Sequence, residues 1–245
     1  MMNCSVNNHP AADSCQLQTG AIEPPLGAEL TARLRKTAAS YYEAEGGCHT
    51  IDHADRVFAT AFQIGKVMNG RLDIISGAAI LHDIGRQDES ASKGVICHAV
   101  RGAELARPIL LEYGFKEEDI AAICHCIASH RFRSANPPLS LEAKILFDAD
   151  KLDSIGAVGV GRAFLFAGQI GAKLHNHEID IHTTAPYTVE DTAYREFRVK
   201  LCRVRERMLT PIGRQLADER HQFMEVFFNR LEKEINGGVP DVQGC

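Results

Sequence analysis

The sequence lacks the features that would place it in several large protein classes. It has no CxxC pair: its eight cysteines are scattered, and the nearest two, Cys124 and Cys126, fall within a segment of helical spacing. No signal peptide precedes them, so they are expected to be reduced thiols of a cytoplasmic protein. No apolar run approaches the roughly 20 residues that a membrane-spanning helix needs, so no membrane partner is expected. Excess positive charge is missing too: 27 Lys and Arg stand against 32 Asp and Glu, a formal net charge of −5. A nucleic-acid polymer is therefore not expected as a partner, although local basic residues can still bind phosphates. Finally, no run alternates as a strand. What is there is 245 residues, enough to bury a full core.

Residues 1–27 mix Asn, Ser, Gln, Pro and Gly without apolar periodicity, and they read as a disordered tail. From there the spacing predicts helices over about 28–45, 51–68, 71–84, 97–113, 117–130, 140–154, 156–168, 189–209 and 211–235. Thr50, Ser140 and Thr210 (followed by Pro211) fit helix starts, while Asn69-Gly70, Gly114 and Gly237-Gly238 fit helix ends. The fold class is all-α, as one domain over 28–236 with a flexible tail at 237–245. The 169–188 stretch lacks periodicity and reads as a long loop, a candidate lid or rim. Phe197, Leu201, Val204 and Met208 form one late stripe, and Phe223, Phe227 and Leu231 another. A C-terminal helical hairpin packed on the body is the expectation; a contact between copies is the alternative, leaving an oligomer open.

A set of metal-ligand residue types is dispersed through these helices: His53, the pair His82-Asp83, and an aspartate in FDADKLD. Taken singly, each has an ordinary structural explanation. Two features strengthen the set. The 140–154 segment is apolar nearly all round, so its aspartates need a metal or a cation if they are buried. Four apolar residues, Ala78 to Leu81, lead directly into His82-Asp83, whose side chains can converge on one ion at a helix end. Periodicity does not choose between Asp148 and Asp150. Of the other histidines, His130 projects close to the Ile120-Ile123-Ile127 stripe and His125 away from it, while His98 starts a helix from which it can reach a cavity. His49, four residues before His53, can face the same side.

HTIDHADRV, LHDIGR and DADKLDSIGAVGVGRAF resemble the signature segments of the HD-domain superfamily of metal-dependent phosphohydrolases. The resemblance extends to MLTPIGRQLADERHQFMEVF and covers about residues 30–235, most closely the small bacterial single-domain branch. It implies a helical bundle with a buried metal site, metal ligands at His53, His82, Asp83 and Asp150, and a second metal through His98 and His130. It also implies hydrolysis of a phosphate ester or anhydride by activated water, with Asp83 binding the metal and orienting or deprotonating that water. A nucleotide is the substrate suggested by the branch; a cyclic-nucleotide phosphodiesterase, a nucleotidase or a nucleotide-sensing module are alternatives on the same core. The ion implied is divalent, Mn ahead of Mg, Fe, Co, Ni or Zn. Arg86, three residues after Asp83, is the best-placed cation for phosphate and is counted with Asp83 as catalytic. Arg56 and Lys151 are further candidates for substrate binding, against pairing of Arg56 with Asp52 and of Lys151 with an acidic neighbour. Tyr194-Arg195-Glu196-Phe197 and the 169–188 loop depart from the branch's pattern, which bears on substrate identity.

Overall fold

The organising helix is one that the sequence makes apolar on every side. In the computed structural model, which describes residues 26–42, 50–131, 136–176 and 178–238, the segment Leu72–Leu81 forms α3, and every residue from Ile74 to Leu81 is buried. A helix with no polar face has to be surrounded. Around it pack α1 (Ala28–Ala39), α2 (Ile51–Met68), α6 (Glu117–Ser129) and α7 (Leu141–Leu152). The remaining helices are α4 (Arg86–Ala91), α5 (His98–Glu112), α8 (Gly156–Gln169), α9 (Ala193–Val199) and α10 (Pro211–Ile235). The described residues contain no strand. Leu34, Ile64, Ile75, Ile123 and Phe147 are among the fully buried core side chains, where truncation to Ala costs about 2–5 kcal/mol each. No helix of the described residues is long and apolar enough to cross a membrane.

Local signals account for several helix ends. Ser140 Oγ accepts from the Ala143 amide at 3.1 Å, and Thr210 Oγ1 accepts from the Gly213 amide at 2.9 Å ahead of Pro211. Asn69 closes α2 in the left-handed region, φ 55°. Thr50 precedes α2 with extended backbone but makes no side-chain cap bond, contrary to expectation. The α7 segment is buried nearly all round, as its composition implied.

Four sequence expectations need correction. The first helix ends at Ala39; residues 40–42 form a turn, and 43–45 lie outside the described residues. The 71–84 segment stops at Leu81, because 82–85 form a turn, and a short helix that periodicity did not reveal, α4, follows. The 189–209 segment splits at Lys200, whose φ −136°, ψ −56° leaves helical geometry; Leu201–Arg207 continues as a 3-10 helix. That break lets Phe197, Leu201, Val204 and Met208 all stay buried. Finally, α10 buries Gly213, Ala217, His221, Met224 and Phe228, so Phe223 is 45% exposed while Phe227 and Leu231 are only partly covered. The late elements still pair: the Phe197 and Phe228 rings stack at 4.5 Å, and α10 lies against α7 and α8. The expected loop is irregular over its described residues from 170 to 192 apart from a 3-10 turn, Ile181–Thr183. Residues 1–25 and 239–245, within the two expected tails, and His49 lie outside the described residues.

Candidate metal centre

Helix ends, not helix faces, supply most of the site. His53 sits in the first turn of α2, His82-Asp83 directly after α3, His98 at the start of α5, His130 at the C-cap of α6 and Asp150 in the last turn of α7. The LHDIGR turn is held tightly against α5. A Cβ on Gly85 would lie 2.3 Å from the His98 carbonyl oxygen and 2.6 Å from the Gly102 nitrogen, so only glycine permits the approach. That close packing carries His98 to Asp83.

Five of these side chains are essentially inaccessible: His53, His82 and Asp83 at 0%, His98 and His130 at 1%; Asp150 is 9% exposed. Asp83 lies between two imidazole pairs. Its Oδ2 is 3.7 Å from the Nε2 atoms of both His53 and His82, which face each other at 3.2 Å. Asp150 Oδ1 approaches the same two nitrogens at 3.3 and 4.0 Å. The other Asp83 oxygen, Oδ1, is 3.3 Å from His98 Nε2 and 3.4 Å from His130 Nε2, and those nitrogens are 3.1 Å apart. The structure thus holds two donor groups that could each hold a metal ion, His53-His82-Asp83 and Asp83-His98-His130. It brings together all six residues singled out in the sequence.

Each imidazole is oriented through its other nitrogen. His82 Nδ1 donates to the Ala79 carbonyl at 2.8 Å and His130 Nδ1 to the Ile127 carbonyl at 2.7 Å. His53 Nδ1 lies 2.7 Å from Asp153 Oδ2, and His98 Nδ1 lies 2.7 Å from Glu89 Oε2. Orientation of a ligand imidazole by an acceptor on its far nitrogen is the usual arrangement at metal sites. Burial pushes His82 down to about 4 and His98 down to about 3, so both rings are neutral near pH 7. Burial also opposes the charge on His53, but hydrogen bonds to Asp150 and Asp153 outweigh it and raise its pKa. Asp150 is held well below the usual carboxylate range: Lys151 and His53 overcome the cost of its burial.

These partners test whether a metal fits. With Nδ1–H committed to an acceptor, a neutral imidazole offers a lone pair at Nε2. The pair His98–His130 would then set two lone pairs 3.1 Å apart. A cation between them, a proton or a metal ion, makes that approach favourable. Four imidazoles and two carboxylates converging in a buried space are the donor chemistry of first-row divalent ions.

The flanking charges sort differently from the sequence expectations. Arg86 stays at the centre, with Nε 3.0 Å from Asp83 Oδ2 and Nη1 3.5 Å from Glu89 Oε2. Lys151 Nζ sits 2.6 Å from Asp150 Oδ2, the pairing with an acidic neighbour. Arg56 pairs with Asp153 rather than Asp52: its Nε and Nη2 take Asp153 at 2.7 and 3.0 Å. Asp148 is buried away from the ligands, accepting from the Leu209 and Thr210 amides at 2.8 Å each and from Thr210 Oγ1 at 2.6 Å. His125 accepts from the Leu139 amide at 3.2 Å, on the outward side expected of it. Two residues went unassigned in the sequence. Asp153 holds His53, Arg56 and Arg162, and is thereby lowered to about 2 despite burial; Glu89 holds His98 and Arg131. Asp153 follows Asp150 by three residues, so its place on the same helical face was a usable signal. Glu89 lies on a helix that periodicity did not reveal.

Comparison with known proteins settles the family. The model of the HD domain matches residues 50–155, the span that holds all six ligand candidates. YpgQ of Bacillus subtilis, an uncharacterized protein, is 35% identical over 209 residues, 84% of this chain and 93% of that one. The chain belongs to the HD-domain family. The crystal structure of YpgQ in complex with ADP superimposes with a TM-score of 0.66 at 32% identity, covering 84% of this chain and 98% of that one. An HD-superfamily hydrolase from Bacillus thuringiensis superimposes with a TM-score of 0.66 at 27% identity, covering 85% and 97%. The HD-domain fold is therefore shared with these relatives, and in this chain it encloses a buried His/Asp cluster.

Proposed function

We propose that this HD-domain protein is a metal-dependent phosphohydrolase that cleaves a phosphate ester or anhydride of a nucleotide. The observation that carries the reading is Asp83, which offers one carboxylate oxygen to each of two facing imidazole pairs in a buried space. His53, His82, Asp83 and Asp150 would hold one divalent ion; Asp83, His98 and His130 would hold a second. When bound, such ions polarise a phosphoryl oxygen and make water a better nucleophile at neutral pH. Mn is our first choice among Mn, Mg, Fe, Co, Ni and Zn, on the mixed nitrogen and oxygen donors.

The chain's own groups supply the rest. Asp83, fixed between the two pairs and beside Arg86, orients the attacking water and accepts its proton. Arg86, 27% exposed at its side chain, balances charge on the non-bridging phosphate oxygens. Lys151, at the outer oxygen of Asp150, is the second phosphate contact. Arg56 acts at one remove, by holding Asp153 against His53. Support for a nucleotide comes from the ADP in the YpgQ structure. The test is a screen of nucleoside mono-, di- and triphosphates, cyclic nucleotides and simple phosphate esters against a panel of divalent metals, with products identified. Turnover should require added metal and disappear in His82→Ala and Asp83→Ala. Equal turnover in those variants, or bound metal without turnover of any substrate, would refute a hydrolase.

A further inference from the structure

The carboxylate that orients His53 is itself gripped from outside the residues matched by the HD-domain model. Asp153 is the C-cap of α7, and α8 starts shortly after it, at Gly156. The one charged residue of α8 is Arg162, beyond the end of the matched span, 50–155. Its side chain is 17% exposed in a helix that is otherwise uncharged, where a guanidinium without a partner would be costly. Asp153 is a partner. Arg162 Nη1 donates to Asp153 Oδ2 at 2.6 Å and to the Asp153 carbonyl at 3.2 Å. One nitrogen thus holds the main chain and the side chain of the same residue.

Arg56 also holds Asp153, but from a different footing. It lies on α2 three residues after His53, so one helix carries both, and its side chain is 39% exposed. Arg162 stands on a helix packed against α9 and α10, where the Phe164 ring lies 6.0 Å from Phe227 and 6.4 Å from Phe228. From α10, Arg220 Nη1 donates to the carbonyl of Leu152, the last residue of α7, at 2.5 Å. Elements after residue 155 therefore brace the end of α7, and Arg162 carries that brace onto a carboxylate. One imidazole completes the path. Asp153 Oδ2 is 2.7 Å from His53 Nδ1, and His53 Nε2 faces Asp83 and Asp150.

We propose that Arg162 is a positioning residue of the metal centre. It fixes Asp153 against His53, so α8 helps to set the affinity for the ion held by His53, His82, Asp83 and Asp150. The inference rests on the metal-centre reading and not on turnover. A wild type that binds no manganese would sink that reading, whereas binding indifferent to Arg162 would sink this proposal alone.

Manganese affinity of the full chain, measured by equilibrium dialysis, tests it. A His98→Ala background isolates the ion on the His53 side, and a His82→Ala background isolates the other. Arg162→Gln should weaken the first about fivefold or more and leave the second unchanged. Asp153→Asn removes the orienting carboxylate itself, with a loss of about 10- to 100-fold. Because Arg162 acts through Asp153, the double variant should bind no more weakly than Asp153→Asn alone. Arg162→Lys, which keeps the charge, should recover part of the affinity. Gly213→Ala, which strains α10 without touching Asp153, should lose stability and no affinity. Circular dichroism checks the fold of each variant; if Arg162→Gln does not fold, Arg162→Lys takes its place in the cycle, with a smaller loss and the same non-additivity expected. Unchanged affinity in the folded Arg162 variant, equal losses on the two sides, or losses that add to those of Asp153→Asn would overturn the proposal.

Discussion

The two sides of Asp83 look alike and differ in one carboxylate. Toward Oδ2 stand His53 and His82, with Asp150 completing a set of four donor residues; toward Oδ1 stand His98 and His130 alone with Asp83. The acidic residue nearest the second pair, Glu89, is turned to the far nitrogen of His98 and to Arg86 and Arg131. Each side also has an orienting carboxylate, Asp153 for His53 and Glu89 for His98. On the proposed reading the difference predicts a division of labour: the side with two carboxylates would hold its ion more tightly, and the three-residue side would hold its ion more weakly.

Removing what the two sides share should have the greatest effect. Asp83→Ala is expected to abolish binding at both and to lower turnover about a thousandfold or more, the scale of losing a central electrostatic group. Separating the sides comes next. His82→Ala should lose the tightly held ion, whereas His98→Ala should keep it and lose only the second; metal titration of the two variants shows which is which. If both variants lost both ions, the two sides would be one cooperative site. Asp153→Asn and Glu89→Gln probe the orienting carboxylates, whose removal typically costs 10- to 100-fold in metal affinity. Asp153→Asn should weaken only the tight ion and Glu89→Gln only the weak one, and the opposite pattern would reverse the assignment.

The smallest effect on the centre is expected from a neighbour on the same helix. Asp148 caps the entry to α10 and lies so close to Gly213 that an added Cβ would sit 2.2 Å from its Oδ2. Gly213→Ala should therefore lower stability by about 1–3 kcal/mol through overpacking while leaving metal content unchanged. A fall in metal content in the folded variant would show that Asp148 also supports the centre.

Asp148 and Asp150 show how far the sequence could be read. Both lie in one apolar segment, and periodicity placed both near the core, where both are buried. Which one meets the imidazoles depends on α2 crossing α7, a long-range contact with no local signature. The resemblance to the HD-domain superfamily supplied that choice, and the geometry agrees with it. The long apolar helices were legible because burial on one face repeats every turn. Short elements were not: α4 has six residues and buries none of them, so it left no stripe to detect, and Glu89 was hidden with it. The carboxylate partner of Arg56 was not legible because the local candidate Asp52 was visible in the sequence, while Asp153, 97 residues away, was not. Arg86 kept its place because three residues along a turn suffice to bring it back to Asp83.

The most direct measurement is the metal bound per chain at saturating free manganese, by equilibrium dialysis with elemental mass spectrometry of both compartments. Two ions per chain in the wild type, one in His98→Ala and none in Asp83→Ala are the expected values. No bound metal in the wild type, or an unchanged content in Asp83→Ala, would contradict a centre built on that carboxylate.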